Sequence, residues 1–267
     1  MQVLDVSKQS FHLLGRILGE AFSSKSDNNY REAFIYRHTR NIHQLGADVV
    51  HLMATGRLAS CPIIIRAMFE SLFKLVAAVK QPQAAVEIFI FELEEDKKRI
   101  EKWLDPVECA PAIEGYSQLA QQLRQEHKIT SVKKWKTEEC AVAAELSEKY
   151  RGEYFLFSAH VHASTGGIIT QEMNVNKGFM LQTLLFIVLC AAGHAPQVIP
   201  TKLPQQHIDE TARLMNELVQ LMDARIFDEM NEPIEVKDLR PNPNPPVRLL
   251  NLLRDSIHSW FNFFRVR

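Results

Sequence analysis

Apolar residues return every three or four positions from Val3 to about residue 230. That is the period of an α-helix with one buried face. Alternating runs closed by Asn-Gly or Asp-Gly turns are missing, so strands are not expected. The spacing predicts a first helix over about 3–22, ended by the polar break 23-SSKSDNN-29. A second helix runs over about 29–55, with Ala33, Phe34, Ile42, Leu45, Val49, Leu52 and Met53 on its apolar side and Gly56 as its stop. A third begins near Pro62, which suits a first helical turn, and ends near 80-KQPQ-83. A fourth covers about 83–104 and turns charged at 92-ELEEDKKRIEKW-103, which reads as a solvated face with opposite charges at helical spacing.

A loose segment (105–116), a short helix (116–127) and a basic connector, 127-HKITSVKKWK-136, are expected next. The connector reads as exposed chain; its lysines and Trp135 also fit contact with nucleic acid. A fifth helix covers about 137–164, a sixth 176–193 and a seventh 204–230. The prolines of 240-RPNPNPPV-247 then impose an extended, stiff linker. Beyond it, Leu249, Leu250, Leu253, Ile257, Trp260, Phe261 and Phe264 fall on one face of a last helix. The expected fold class is therefore all-α: a bundle of about seven helices (1–230), a Pro-rich linker (231–247) and a C-terminal amphipathic helix (248–267).

Composition narrows the function classes. The chain has 267 residues, 46% hydrophobic and 24% charged, enough for a sizeable core. Its net charge of -1 argues against a surface that coats nucleic acid broadly, while leaving room for a local phosphate site. Cys61, Cys109, Cys140 and Cys190 form no C-x-x-C pair and read as free, mostly buried thiols of a reducing compartment. The N-terminal stretch has no basic start followed by a continuous apolar run, so a cytoplasmic protein is expected. The most apolar run, 178-GFMLQTLLFIVLCAAGH-194, is interrupted by Gln182 and Thr183 and is expected as a buried central helix.

Two polar stripes lie inside otherwise apolar helices. Arg66, Glu70 and Lys74 are the only charged residues between 62 and 79. Arg66 and Glu70 share a face, in the order that favours an isolated helix less. They fit a narrow solvent stripe, or a pair facing a cleft, where the guanidinium is kept for an anion. Tyr150, Tyr154, Ser158 and His162 recur every four residues among Phe155, Leu156, Phe157, Ala159 and Val161. His162 can serve as acid or base near neutral pH, with Ser158 beside it. Equally, Ser158 and His162 fit a closed core network bonded to Glu70 or the backbone. His160 points elsewhere on a helix, so His160 and His162 make a poor metal pair. His38, His43 and His51 lie on different faces of the second helix and read as surface or partly buried. No Walker, dinucleotide-binding, nucleophile-elbow or zinc-protease motif is present, and 165-TGG-167 reads as a helix stop. No cofactor and no metal are expected.

The run 52-LMATGRLASCPIIIRAMFESL-72, with its R-x-x-x-E helix, followed later by Y-x-x-x-S-x-x-x-H at Tyr154, Ser158 and His162, resembles an uncharacterised bacterial all-helical family. The resemblance covers about 30–195. That family looks similar to HEPN domains, helical bundles of which many are metal-independent ribonucleases of toxin–antitoxin and phage-defence systems, often acting as dimers. The resemblance implies RNA as partner and His162 as general acid/base for attack by a ribose 2′-hydroxyl. It implies Arg66 on the phosphate, Glu70 orienting Arg66 or His162, and Ser158 with Tyr154 as support. The third and fifth helices should then pack together. The other reading is a non-catalytic scaffold whose working end is the terminal helix.

That terminal helix has three fates: folding back on its own bundle, docking into a second copy or a partner protein, or lying on a membrane surface with Arg248, Arg254, Arg265 and Arg267. Its apolar face is too large to leave in water, and a stiff tether favours contact with another chain. Deleting residues 241–267 should lower the oligomeric state in light scattering or expose a groove that binds a hydrophobic dye. Unchanged mass and thermal stability, with no binding to anionic vesicles, would remove the segment from this role.

Overall fold

The computed structural model describes residues 2–21, 30–103, 105–161, 177–198, 205–224 and 226–229, all in helices and the turns that join them. No strand occurs among them, and the all-α bundle expected from periodicity is the fold. In chain order the helices are α1 (Gln2–Ala21), α2 (Tyr30–Ala54), α3 (Cys61–Lys80), α4 (Pro82–Trp103), α5 (Pro106–Glu126), α6 (Thr137–Ala143), α7 (Ser147–Lys149), α8 (Phe155–Val161), α9 (Lys177–His194), α10 (Gln205–Asp223) and α11 (Ile226–Glu229). A π turn, Tyr150–Tyr154, joins α7 to α8. The linker and terminal helix, 231–267, lie outside the described residues, as does His162.

The centre is α9. Met180, Leu184, Leu185, Ile187, Val188, Leu189, Cys190 and Ala191 are all essentially inaccessible. Its apolar residues surround the axis, so it must be enclosed on every side. Helices α1, α2, α3, α10 and α11 do this. By length and composition α9 would pass as a membrane span, but 83% of its apolar window is buried inside the bundle. Gly178 at its start faces α11: a Cβ there would stand 1.9 Å from the carbonyl oxygen of Phe227, so the close approach requires glycine.

Helices α2 and α3 pack antiparallel, as a ladder of contacts records. Arg31 donates to the Ala78 and Val79 carbonyls, Asn41 Nδ2 donates to Ser71 Oγ, and the Cys61 thiol lies against the Val49 carbonyl. The α4–α5 hairpin carries its own smaller core, Val86, Ile90 and Leu93 against Ala120, Leu123 and Ile129.

Three boundaries differ from expectation. The loose segment and short helix over 105–127 are one helix, α5, with Pro111 inside it. Pro111 stands near the start, where it removes only one ladder bond, and packing on α4 outweighs that loss. The connector after it is pinned rather than loose: Ile129 is buried and Trp135 Nε1 donates to Glu87 at 3.2 Å. The predicted helix over 137–164 is broken at Glu145, whose φ is 59°. Leu146 N–H bonds Ala141 O and Glu145 N–H bonds Val142 O, so the break is a helix stop with a left-handed residue. The same bond pair closes α5 at Lys128 and α2 at Gly56. Only the glycine adopts that conformation without steric cost, which hid the other two stops from the sequence.

One ion pair is sealed in the core. Lys149 Nζ bonds Glu153 Oε1 at 2.7 Å, with both residues almost inaccessible. The ammonium also lies 4.5 Å from the centre of the Phe186 ring on α9. A buried charge deprived of its partner cannot recover the hydration it lost. Lys149→Met should therefore cost ~3–5 kcal/mol in chemical unfolding. The double variant Lys149→Met, Glu153→Leu should recover most of that. A single variant as stable as the parent would show that the pair carries no such burden.

Candidate functional site

Helix α3 presents Arg66, Glu70 and Lys74 on one stripe, and the segment from the π turn into α8 packs across it. Tyr154, buried at 7% exposure, is the residue that reaches the stripe. Its hydroxyl donates to Glu70 Oε1 at 2.9 Å. Arg66 Nε stands 3.3 Å from the same carboxylate oxygen and donates weakly to the Tyr154 hydroxyl at 3.4 Å. The guanidinium also lies 5.7 Å from the Tyr154 ring centre. Burial lowers the Arg66 pKa, but the Tyr154 hydroxyl and the Glu70 charge outweigh it and the value is raised. Arg66 is thus a fixed cation. Its side chain is 25% exposed and that of Glu70 35%, so the network is not closed off from water.

Tyr150 stacks on Tyr154, with ring centres 5.1 Å apart, and Phe73 meets both edge-on. These contacts fix the Tyr154 ring and leave its hydroxyl one direction to point. Ser158, one turn further, has a buried Oγ with no hydrogen-bond partner. The structure therefore brings together Arg66, Glu70 and Tyr154; Ser158 forms no bond to them, and His162 lies outside the described residues.

Glu70 also faces an open cleft of about 480 Å³ between α2 and α3, closed at one end by α4. Its walls carry Arg37, Arg40, Asn41 and Gln44 from α2, Ser71 and Lys74 from α3, and Glu92 from α4. Glu92 corrects the reading of 92–103 as a solvated face. Its side chain is only 11% exposed, because Oε1 takes Lys74 Nζ at 2.6 Å and Oε2 takes the Arg37 guanidinium. His38 is a second correction. It is 5% exposed, packed edge-on to Phe34, and lines the cleft. Neither of its ring nitrogens has a hydrogen-bond partner. The nearest carboxylate oxygen, of Glu92, is 3.9 Å from Nε2, too far for a hydrogen bond.

Sequence reasoning missed the α2 wall, although a signal existed. Residues 37, 41 and 44 on α2, and 67, 70, 71 and 74 on α3, each follow helical spacing and form facing polar stripes. The buried thiols are no part of the site: burial lifts Cys140 and Cys190 to about 12, which leaves them protonated and inert. Among the described residues no three His, Cys, Asp or Glu side chains gather as metal ligands.

A helical bundle with a polar, solvent-reached cleft on its α2–α3 face is the class of molecule this architecture defines. Within that class the chain belongs to a family of unknown function (DUF5677), whose model matches residues 32–178, more than half of the chain. The match takes in both cleft walls, Tyr154 and Ser158. Comparison with curated proteins gives no match, and neither does comparison with solved structures.

Burial, then the charges of Lys74 and Arg37, hold the His38 pKa well below the usual histidine value. Burial, then Lys80, pull His194 down to about 3. Unfolded, both take up a proton near pH 6.5. Stability is therefore full above pH 6.5 and falls as the pH drops below it, by about 1.4 kcal/mol per pH unit for each histidine, until the folded values are reached. Unfolding free energies between pH 7 and 5 should show this slope. His38→Gln should remove one proton from it, and an unchanged slope would mean that His38 is not held neutral.

Proposed function

We propose that the protein is a HEPN-like helical protein that acts on RNA, cleaving a phosphodiester with acid–base groups and no metal. The observation that carries the reading is the Arg66–Tyr154–Glu70 network at the edge of an open cleft. A fixed, half-exposed guanidinium beside a carboxylate is suited to grip a phosphate oxygen and to stabilise charge as it develops on phosphorus. In this reading His162 takes the proton of a ribose 2′-hydroxyl as that oxygen attacks phosphorus. The 5′-oxygen leaves with a proton returned to it, and a 2′,3′-cyclic phosphate remains. Glu70 orients Arg66 through their ion pair, Tyr154 orients Glu70, and Ser158 supplies a hydroxyl on the face that leads toward residue 162. A role in a bacterial toxin or phage-defence system follows from the HEPN likeness.

A second reading, an interaction protein that meets a second copy or a protein partner, draws on one observation. Phe155 on α8 and Val142 on α6 hold 66% and 58% of their surface in solvent, unusual for side chains so apolar.

The purified protein, incubated with a fluorescently labelled RNA, should yield 2′,3′-cyclic phosphate ends whether or not EDTA is present. His162→Ala should abolish cleavage with little change in thermal stability. Arg66→Ala should slow it ~100-fold, the scale of losing one charge-stabilising donor. Chelator-sensitive cleavage, or full activity in His162→Ala, would take His162 out of this role. A protein that leaves RNA intact but sediments as a dimer would favour the second reading.

A further inference from the structure

The charges around the cleft do not balance. Glu70 is matched by Arg66, which leaves Arg37, Arg40 and Lys74 on the walls opposite Glu92 alone. Both oxygens of Glu92 are already taken by Arg37 and Lys74. Arg40 is exposed at the rim and makes no ion pair among the described residues. The cleft thus has an excess of two positive charges at its α2 side. In the same cleft His38 is 95% buried, with two ring nitrogens that no protein group satisfies. A buried polar side chain without a partner is costly, and a bound ligand in an open cleft is one way to satisfy it. The volume of about 480 Å³ suits a ligand the size of a nucleoside phosphate.

We propose that the α2–α3 cleft binds a phosphomonoester, a dianionic phosphate carried by a nucleoside or by the end of an RNA strand, with Arg40 at its mouth and His38 at its floor. An internal phosphodiester carries one negative charge and a terminal monoester close to two, so the excess of two favours the terminal group. Arg40 offers a planar fork of donors to two phosphate oxygens, and Asn41 Nδ2 lies one residue along the same wall. Neutral His38 gives one N–H donor to the phosphate and keeps its other nitrogen as an acceptor. Lys74 and Arg37 supply charge without leaving Glu92. The inference rests on the RNA-acting reading for the link to a strand end, but the binding itself needs no catalysis.

Binding of adenosine 5′-monophosphate (AMP), adenosine and inorganic phosphate to the full chain would be measured by calorimetry, and the His38 imidazole resonance followed by NMR. AMP and phosphate should bind and shift that resonance, and adenosine should do neither. Arg40→Gln should weaken AMP binding about tenfold, the loss of one charged hydrogen bond. His38→Gln should weaken it as well; should that variant fail to fold, the exposed Arg40 carries the test. A 5′-phosphorylated hexa-adenylate that binds at least tenfold tighter than its 5′-hydroxyl form identifies an RNA end as the natural source. Equal binding of the two, with AMP still held, identifies a free nucleotide. AMP that binds no better than adenosine, or an unchanged affinity in Arg40→Gln, overturns the proposal. RNA cleavage without AMP binding would remove this inference alone, and AMP binding without cleavage would remove the catalytic reading alone.

Discussion

Everything in this bundle is arranged by the need to enclose α9. A helix with apolar side chains all round its axis has no face to offer to water, so each neighbour must commit its own apolar side to it. Helices α1, α2, α3, α10 and α11 make that commitment, and their polar sides are then forced outward or toward one another. Between α2 and α3 the second outcome occurs. Their outer stripes are too close for each to be separately hydrated and too polar to merge into the core.

What results is a cleft whose charges are organised rather than scattered. A carboxylate stands at each end: Glu70 gathers Arg66 and Tyr154, and Glu92 gathers Arg37 and Lys74. The middle holds uncharged groups, the Asn41–Ser71 hydrogen bond and the neutral imidazole of His38. Two cations beside a desolvated imidazole hold it neutral, and the imidazole in turn adds no charge to a site already rich in it. The electrostatics therefore follow from how closely two helices pack, and that closeness follows from the central helix.

The fold was legible in the sequence because amphipathic periodicity is a local property. The spans of α1–α4, α9 and α10 follow from spacing, and the stop at Gly56 from its chemistry. The breaks at Lys128 and Glu145 were not legible, since nothing about a lysine or a glutamate announces a left-handed backbone. The site was half legible. Arg66 and Glu70 stood out because a charge on an apolar helix is conspicuous, and Tyr154 because it repeats with Tyr150 and Ser158. His38 and Glu92 did not, for opposite reasons. His38 sits on a mixed helix where one more polar residue is unremarkable. Glu92 opens a charged run whose other members are solvated, and only the fold separates it from them.

The π turn at Tyr150–Tyr154 has a consequence for how this segment tolerates change. Such a turn is one residue wider than the α-helical winding around it. Before it, Lys149 is directed at the ring of Phe186 on α9; after it, Phe157 is buried against Phe69 and Phe179. The extra residue sets the rotational phase between these two anchorings. Losing a single residue here would restore regular winding and turn all of α8 by about 100° relative to what precedes it. Phe157 would leave the core, and the chain heading toward residue 162 would depart on another bearing. Length, more than residue identity, is what this stretch is constrained to keep.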